Sequence, residues 1–191
     1  MRPLFFISIC ITLIFGCYIA PLLSKLPNIY YIPTNIPFNA LAEPVKKQVE
    51  CLAENIYFEA GNESVEGKIA VAMVTLNRVS SKNYANNVCN VVYQRTKTAD
   101  DIIICQFSWT CQAKEMSNRL TIRQTSLYND IRELSVRVFM NYGKITDNTK
   151  GSTYYHADYV NPGWNLSQTV KIGRHIFYKN QRDVIKLQGA I

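Results

Sequence analysis

A chain of 191 residues, 48% hydrophobic and 18% charged, has enough apolar material for one globular domain with a real core and is too short to suggest two. Its formal net charge of +7 favours an anionic partner, and nucleic acid, anionic lipid and cell wall polymers all qualify electrostatically. No basic run with interleaved aromatics and no zinc-finger spacing occurs, so nucleic acid is not expected as a partner.

Residues 3–23 are apolar or uncharged throughout, between Arg2 and Lys25, and are long enough to cross a bilayer. Residues 1–25 are therefore expected to be an uncleaved signal-anchor that holds the rest of the chain at the membrane in a periplasmic or other extracytoplasmic space. A cleaved export signal ranks second, because Pro21 after Ala20 is a poor neighbour for a cleavage site and the apolar run exceeds a typical signal core. A lipoprotein box at Cys17 ranks third, since Phe15 is bulky and the apolar run continues past the cysteine. Residues 26–44 carry Pro27, Pro33, Pro37 and Pro44, which prevent a continuous helix and mark a tether. Residues 45–191 are left for the folded domain.

Val45, Val49, Leu52, Ile56 and Ala60 recur at three- and four-residue spacing, which predicts an amphipathic helix over 44–60. Glu59 falls on that apolar side, and Gly61-Asn62 breaks the helix directly after it. Residues 65–79, with Ser64 as a cap, are apolar on nearly every side through Ile69, Val71, Met73, Val74 and Leu76, and belong in the middle of the core. A connection and short helix over 84–94 and a polar loop over 96–101 follow. Over 121–142, Leu127, Ile131, Leu134 and Val138 share one face ahead of Gly143, predicting another amphipathic helix. Residues 169–179 are β-branched and aromatic and suit a strand. These elements describe a mainly helical α+β chain.

Four cysteines, Cys51, Cys89, Cys105 and Cys111, fall in the part expected outside the cytoplasm, where an even set reads as two disulfides. Three pairings are possible. Cys105 and Cys111 flank a short aromatic loop that a bridge can close locally, which leaves Cys51 with Cys89 to tie the Glu59 helix to the next segment. The spacings lack the paired knuckles of structural zinc, and the two histidines, His156 and His175, have no ligand spacing with acidic partners. No metal and no cofactor is expected.

A carboxyl group held against apolar neighbours is disfavoured as an anion, so Glu59 is expected to hold its proton towards neutral pH, as a general acid must. The plainer alternative is a half-buried, salt-bridged glutamate. Gln106, Phe107 and Trp109 lie in the cysteine-bounded loop, and Tyr155, His156, Asn161 and Trp164 lie in a later block. Aromatic planes beside amide and imidazole groups suit sugar rings, whose apolar faces are edged by hydroxyls, although each aromatic taken singly serves equally as core.

The words NIYFEA (55–60), ESVEGKIAVAMVTLNRV (63–79), VCNVVYQ (88–94), CQFSWTC (105–111), YHADYVNPGW (155–164) and IGRHIFY (172–178) resemble, in this order, the SleB-type cell wall hydrolase family. The resemblance implies a lysozyme-like domain with a small antiparallel β-sheet, peptidoglycan as partner, and Glu59 as the catalytic acid of glycan-strand cleavage. It also draws Tyr155 and His156 towards the cleft, while Glu63 is a substrate-binding candidate that could equally be a first-turn residue favourable to the helix dipole. Where the family reads E-A-R-G-E, this chain has Glu59-Ala60-Gly61-Asn62-Glu63, so an arginine is missing and the glycine stands one place earlier. Tyr154 also stands where the family commonly has histidine.

The activity expected first is that of a lytic transglycosylase, which needs one carboxylate because the substrate's own 6-hydroxyl attacks the anomeric carbon and leaves a 1,6-anhydro end. A hydrolytic muramidase needs a second acid, for which Glu63 or Asp158 could serve. A membrane-tethered wall-binding protein without turnover is the remaining alternative.

Overall fold

The computed structural model describes residues 36–180, so the membrane segment expected at 1–25 and most of the tether lie outside the described residues. Among the described residues no helix is long and apolar enough to cross a membrane. The end of the expected tether is docked. Phe38–Ala40 forms a short 3-10 turn, Leu41 is buried with Val49 and Val136, and the guanidinium of Arg132 lies 4.6 Å from the centre of the Phe38 ring. Prolines there stop a long helix but do not keep apolar side chains from packing.

Helix α1 is Glu43–Ala60, with Pro44 in the first turn, where its missing N–H is not needed. Its stripe of Val49, Leu52, Ala53, Ile56 and Ala60 is buried. Helix α2, Val65–Ser80, starts where the Ser64 hydroxyl accepts from the Gly67 N–H at 3.2 Å. It runs through the core, with Ile69 to Arg78 buried. Helix α3, Val88–Val92, is joined to α1 by the Cys51–Cys89 disulfide, whose Cα atoms are 5.2 Å apart. The Gln48 side chain also accepts from the Val88 N–H at 2.7 Å.

Strands β1, Arg95–Lys97, and β2, Ile103–Cys105, form an antiparallel hairpin. The polar loop expected at 96–101 therefore begins inside a strand: Thr96 and Lys97 pair across to Ile104 and Ile103, and their exposure explains why polarity hid the strand. A second disulfide, Cys105–Cys111, closes the loop that follows, with Cα atoms 6.0 Å apart.

One helix was expected over 121–142, and two are found: α4, Ala113–Ile122, and α5, Ser126–Met140. Thr125 separates them by capping α5, its hydroxyl accepting from the Tyr128 N–H at 3.2 Å. Leu127 is consequently 39% exposed, contrary to expectation, while Tyr128 takes the seat in the core and donates its hydroxyl to Glu50 at 2.6 Å. The remainder of that face, Ile131, Leu134 and Val138, is buried.

Under these helices lies an ionic network. Glu54 of α1 is fully buried, its carboxylate accepting from Arg119 Nε at 3.1 Å and Nη2 at 3.0 Å, from Arg123 Nη2 at 2.7 Å, and from the Tyr93 hydroxyl. Two arginines at the end of α4 thereby tie that otherwise exposed helix to α1.

The second layer is a three-stranded antiparallel sheet of β3, Tyr154–Ala157, β4, Ser167–Ile172, and β5, His175–Lys179, in the order β3-β5-β4. The single strand expected over 169–179 is thus a hairpin, turned at Gly173 with φ +56°. Ile172 and Phe177 on the inner face pack against Ala70 and Val74 of α2. The molecule is a helix-rich α+β fold with small antiparallel sheets.

Candidate active site

Glu59 sits in the last turn of α1, and the turn that follows is tight. A Cβ at Gly61 would lie 2.5 Å from the carbonyl oxygen of Tyr57, so the position where the resembling family carries arginine has no room for a side chain on this backbone path.

The Glu59 side chain meets the sheet. Tyr155 of β3 donates its hydroxyl to Glu59 Oε2 at 2.9 Å, across 96 residues of sequence. Burial raises the pKa of Glu59, and the Tyr155 hydrogen bond and the positive charge of Arg78 oppose the rise without cancelling it. Burial and the charge of Glu59 hold Tyr155 well above the ordinary phenol range, so it donates as a neutral hydroxyl. Arg78, in the last turn of α2, is 4% exposed. Its Nε donates to the Thr153 carbonyl at 2.7 Å, and its guanidinium lies 4.9 Å from the Phe107 ring centre and 5.6 Å from that of Tyr84. His175 of β5, buried and edge-on to the Tyr155 ring at 5.1 Å, completes the wall, and burial pushes its pKa down.

The other expected site residues separate into three places. Phe107 and Trp109 are core residues, each 3% exposed. Trp109 stacks on Phe58 at 4.5 Å and donates its indole N–H to Asn55 at 3.0 Å, so neither ring offers a face to a sugar. Gln106 beside them is half-buried, its backbone N–H donating to the Gln94 carbonyl at 3.0 Å.

Glu63 is used as a strap. Its Oε2 accepts from the Arg174 backbone N–H at 3.3 Å and lies where a Cβ on Gly173 would be, 2.1 Å away, so the carboxylate is seated on the β4–β5 turn. Asp158 is paired with Lys171 at 3.0 Å and lies 4.0 Å from Arg174, and the Lys171 hydrogen bond holds its pKa below the usual carboxylate range.

His156, next to Tyr155 on a strand, points to the opposite face. Both its ring nitrogens are engaged, Nδ1 with the Ala157 carbonyl and Nε2 with the Tyr178 hydroxyl, each at 2.9 Å. It belongs to an outer aromatic group with Tyr154, Tyr178 and Trp164, in which Trp164 touches the other three rings at 5.6–5.9 Å and remains 42% exposed. Asn161 accepts from the Gly163 N–H at 3.2 Å and shapes the loop leading to Trp164. Among the described residues no group of three His, Cys, Asp or Glu side chains is placed to hold a metal ion.

Sequence reasoning missed Arg78 and His175 as parts of this site. For Arg78 a signal existed: it is a cation at the end of a helix that is otherwise apolar on nearly every side.

The model of the cell wall hydrolase family matches residues 62–178, a stretch that opens just after Glu59 and takes in Glu63, Arg78 and Tyr155. A spore cortex-lytic enzyme of Halalkalibacterium halodurans is 28% identical over 147 residues, covering 75% of this chain and 37% of that protein. One from Bacillus cereus is 27% identical over 154 residues, covering 76% of this chain and 48% of that protein. The chain thus spans less than half the length of these curated relatives. The solved catalytic domain of the germination-specific lytic transglycosylase SleB from Bacillus anthracis is similar in fold, with a TM-score of 0.51 at 22% identity, covering 78% of this chain and 100% of that domain.

Proposed function

We propose that this chain, which belongs to the cell wall hydrolase family, cleaves the glycan strands of peptidoglycan as a lytic transglycosylase, with Glu59 as general acid and then general base. The observation that carries this is the Glu59 carboxyl group at the helix–sheet junction, oriented by Tyr155 and with its pKa raised by burial, while the other two candidate carboxylates are committed to Arg174 and Lys171. Tyr155 occupies Oε2, so the transferable proton belongs on Oε1. As the glycosidic C1–O bond breaks, that proton goes to the departing oxygen. The 6-hydroxyl of the same sugar then bonds to C1, its proton passes to the Glu59 carboxylate, and the acid is restored without consuming water. Two disulfides fit an extracytoplasmic, wall-facing location.

Mass spectrometry of muropeptides released from purified sacculi tests the chemistry. We expect 1,6-anhydro ends, lighter by one water than the products of hydrolysis. Free reducing ends would replace this mechanism with the muramidase one.

Trp164 and His156 lie on the outer sheet face, and we assign them to contact with the strand beyond the reacting sugars. Trp164 is held by rings on several sides yet exposed, as an aromatic platform for a sugar must be. Trp164→Ala is expected to weaken co-sedimentation with sacculi several-fold while leaving turnover of a short soluble glycan near that of the unchanged protein. Unaltered sedimentation would remove Trp164 from the binding surface.

A further inference from the structure

Arg78 is anomalous as a core residue. It is 4% exposed, and its Nη1 is buried with no hydrogen-bond partner among the described residues. A buried guanidinium normally has every donor satisfied, because an unmet charged donor in a poorly solvated place is strongly unfavourable. Here only Nε is accounted for by a carbonyl, that of Thr153, which lies two residues before Tyr155 on the same strand segment. The Phe107 and Tyr84 rings flank the cation but supply no acceptor for Nη1.

We propose that Arg78 is a positioning residue and the standing counter-charge of Glu59: a buried cation with one donor unmet, fixed through Thr153 to the segment that carries Tyr155, the residue whose hydroxyl holds Glu59. This rests on Glu59 being the acid–base group. In the resting, protonated state the site carries the Arg78 charge alone. After proton transfer it holds a pair, so the carboxylate is less disfavoured than burial alone would make it and the proton leaves more readily. Arg78 acts through a second route as well, since its bond to Thr153 fixes the register from which Tyr155 reaches Glu59.

The groups that act on Glu59 are few. Tyr155 comes from β3 and Arg78 from α2. His175 of β5 lies against the Tyr155 ring, and Glu63, following α1, is turned to Arg174. Removing the Arg78 charge therefore leaves burial opposed only by the Tyr155 hydrogen bond.

The test uses the full chain without substrate. Infrared titration of the protonated carboxyl, with the Glu59 band identified by its loss in Glu59→Gln, is expected to move to higher pH in Arg78→Gln and to stay near its original position in Arg78→Lys, which keeps the charge. The alkaline limb of kcat/KM should move with it. Should Arg78→Gln fail to fold, the unsubstituted protein gives the same answer: the Arg78 guanidinium 15N resonances should change as Glu59 ionises and stay flat in Glu59→Gln. Equal Glu59 titration in folded Arg78→Gln and the parent chain, or Arg78 resonances blind to Glu59, would overturn the proposal. Neither readout needs turnover, so a chain that couples these groups and cleaves nothing would overturn the transglycosylase reading instead.

Discussion

Glu59→Gln is expected to leave a folded protein that no longer clears peptidoglycan. Gln has nearly the same shape, and its carbonyl oxygen can still accept from the Tyr155 hydroxyl that now binds Glu59 Oε2 at 2.9 Å. It cannot donate and recover a proton. General acid–base catalysis is typically worth about 10²–10⁴-fold, and the loss should be at the upper end because one group serves both steps. Stability should change in the opposite sense. Burial raises the pKa of Glu59, so the proton bound to the folded state contributes stability at low pH that is lost as pH rises through the raised value. Gln carries no such dependence, and the variant should melt progressively higher than the parent as pH increases. Zymograms on purified sacculi together with melting curves at acid and neutral pH check both halves. Comparable clearing by a folded variant would remove Glu59 from the chemistry, and a parent chain that binds sacculi without clearing them would make this a wall-binding protein.

Glu54→Ala should be far more destabilising than the loss of a surface ion pair. It would strip the shared acceptor from Arg119, Arg123 and the Tyr93 hydroxyl, all of which converge on a fully buried carboxylate. Breaking a buried ion pair from one side typically costs about 3–5 kcal/mol. The arginine side chains are 29% and 35% exposed and can turn partly to water, which places the expectation at the lower end. Removing the exposed Glu43–Lys46 pair by contrast should cost less than about 1 kcal/mol. Urea denaturation of the two variants separates these magnitudes, and a Glu54→Ala effect as small as that of the surface pair would show that the network is not what holds α4 in place.

Much of the helical layer could be read from periodicity, because burial alone dictates the stripe of α1 and the all-round apolarity of α2. The same rule failed at Leu127, where two faces offered similar apolar content and the Thr125 cap decided the start of the helix. Strand β1 was hidden because its residues are polar and solvent-facing, and the sheet hairpin because β-branched residues run up to both sides of Gly173. At the site, local spacing placed Glu59 on a buried face. Its partners come from 19 residues away in α2 and 96 away in β3, separations at which periodicity carries no information. Trp109 and Trp164 show the same limit: one is core and one is exposed, and only the indole N–H bond to Asn55 and the ring contacts on the sheet tell them apart.

The pairing of Glu59 with Tyr155 joins the helical layer to the sheet, and the apolar contact beneath it is a small one, made by Ala70 and Val74 with Ile172 and Phe177. A chain whose helices have formed but whose sheet has not yet settled on them has Glu59 open to water, ionised and unaccompanied. Such a chain has no acid to offer. On the proposed reading, the acid is therefore assembled only when distant segments close, a late event for contacts of such sequence separation, and a nascent or partly undone molecule is expected to leave glycan strands uncut.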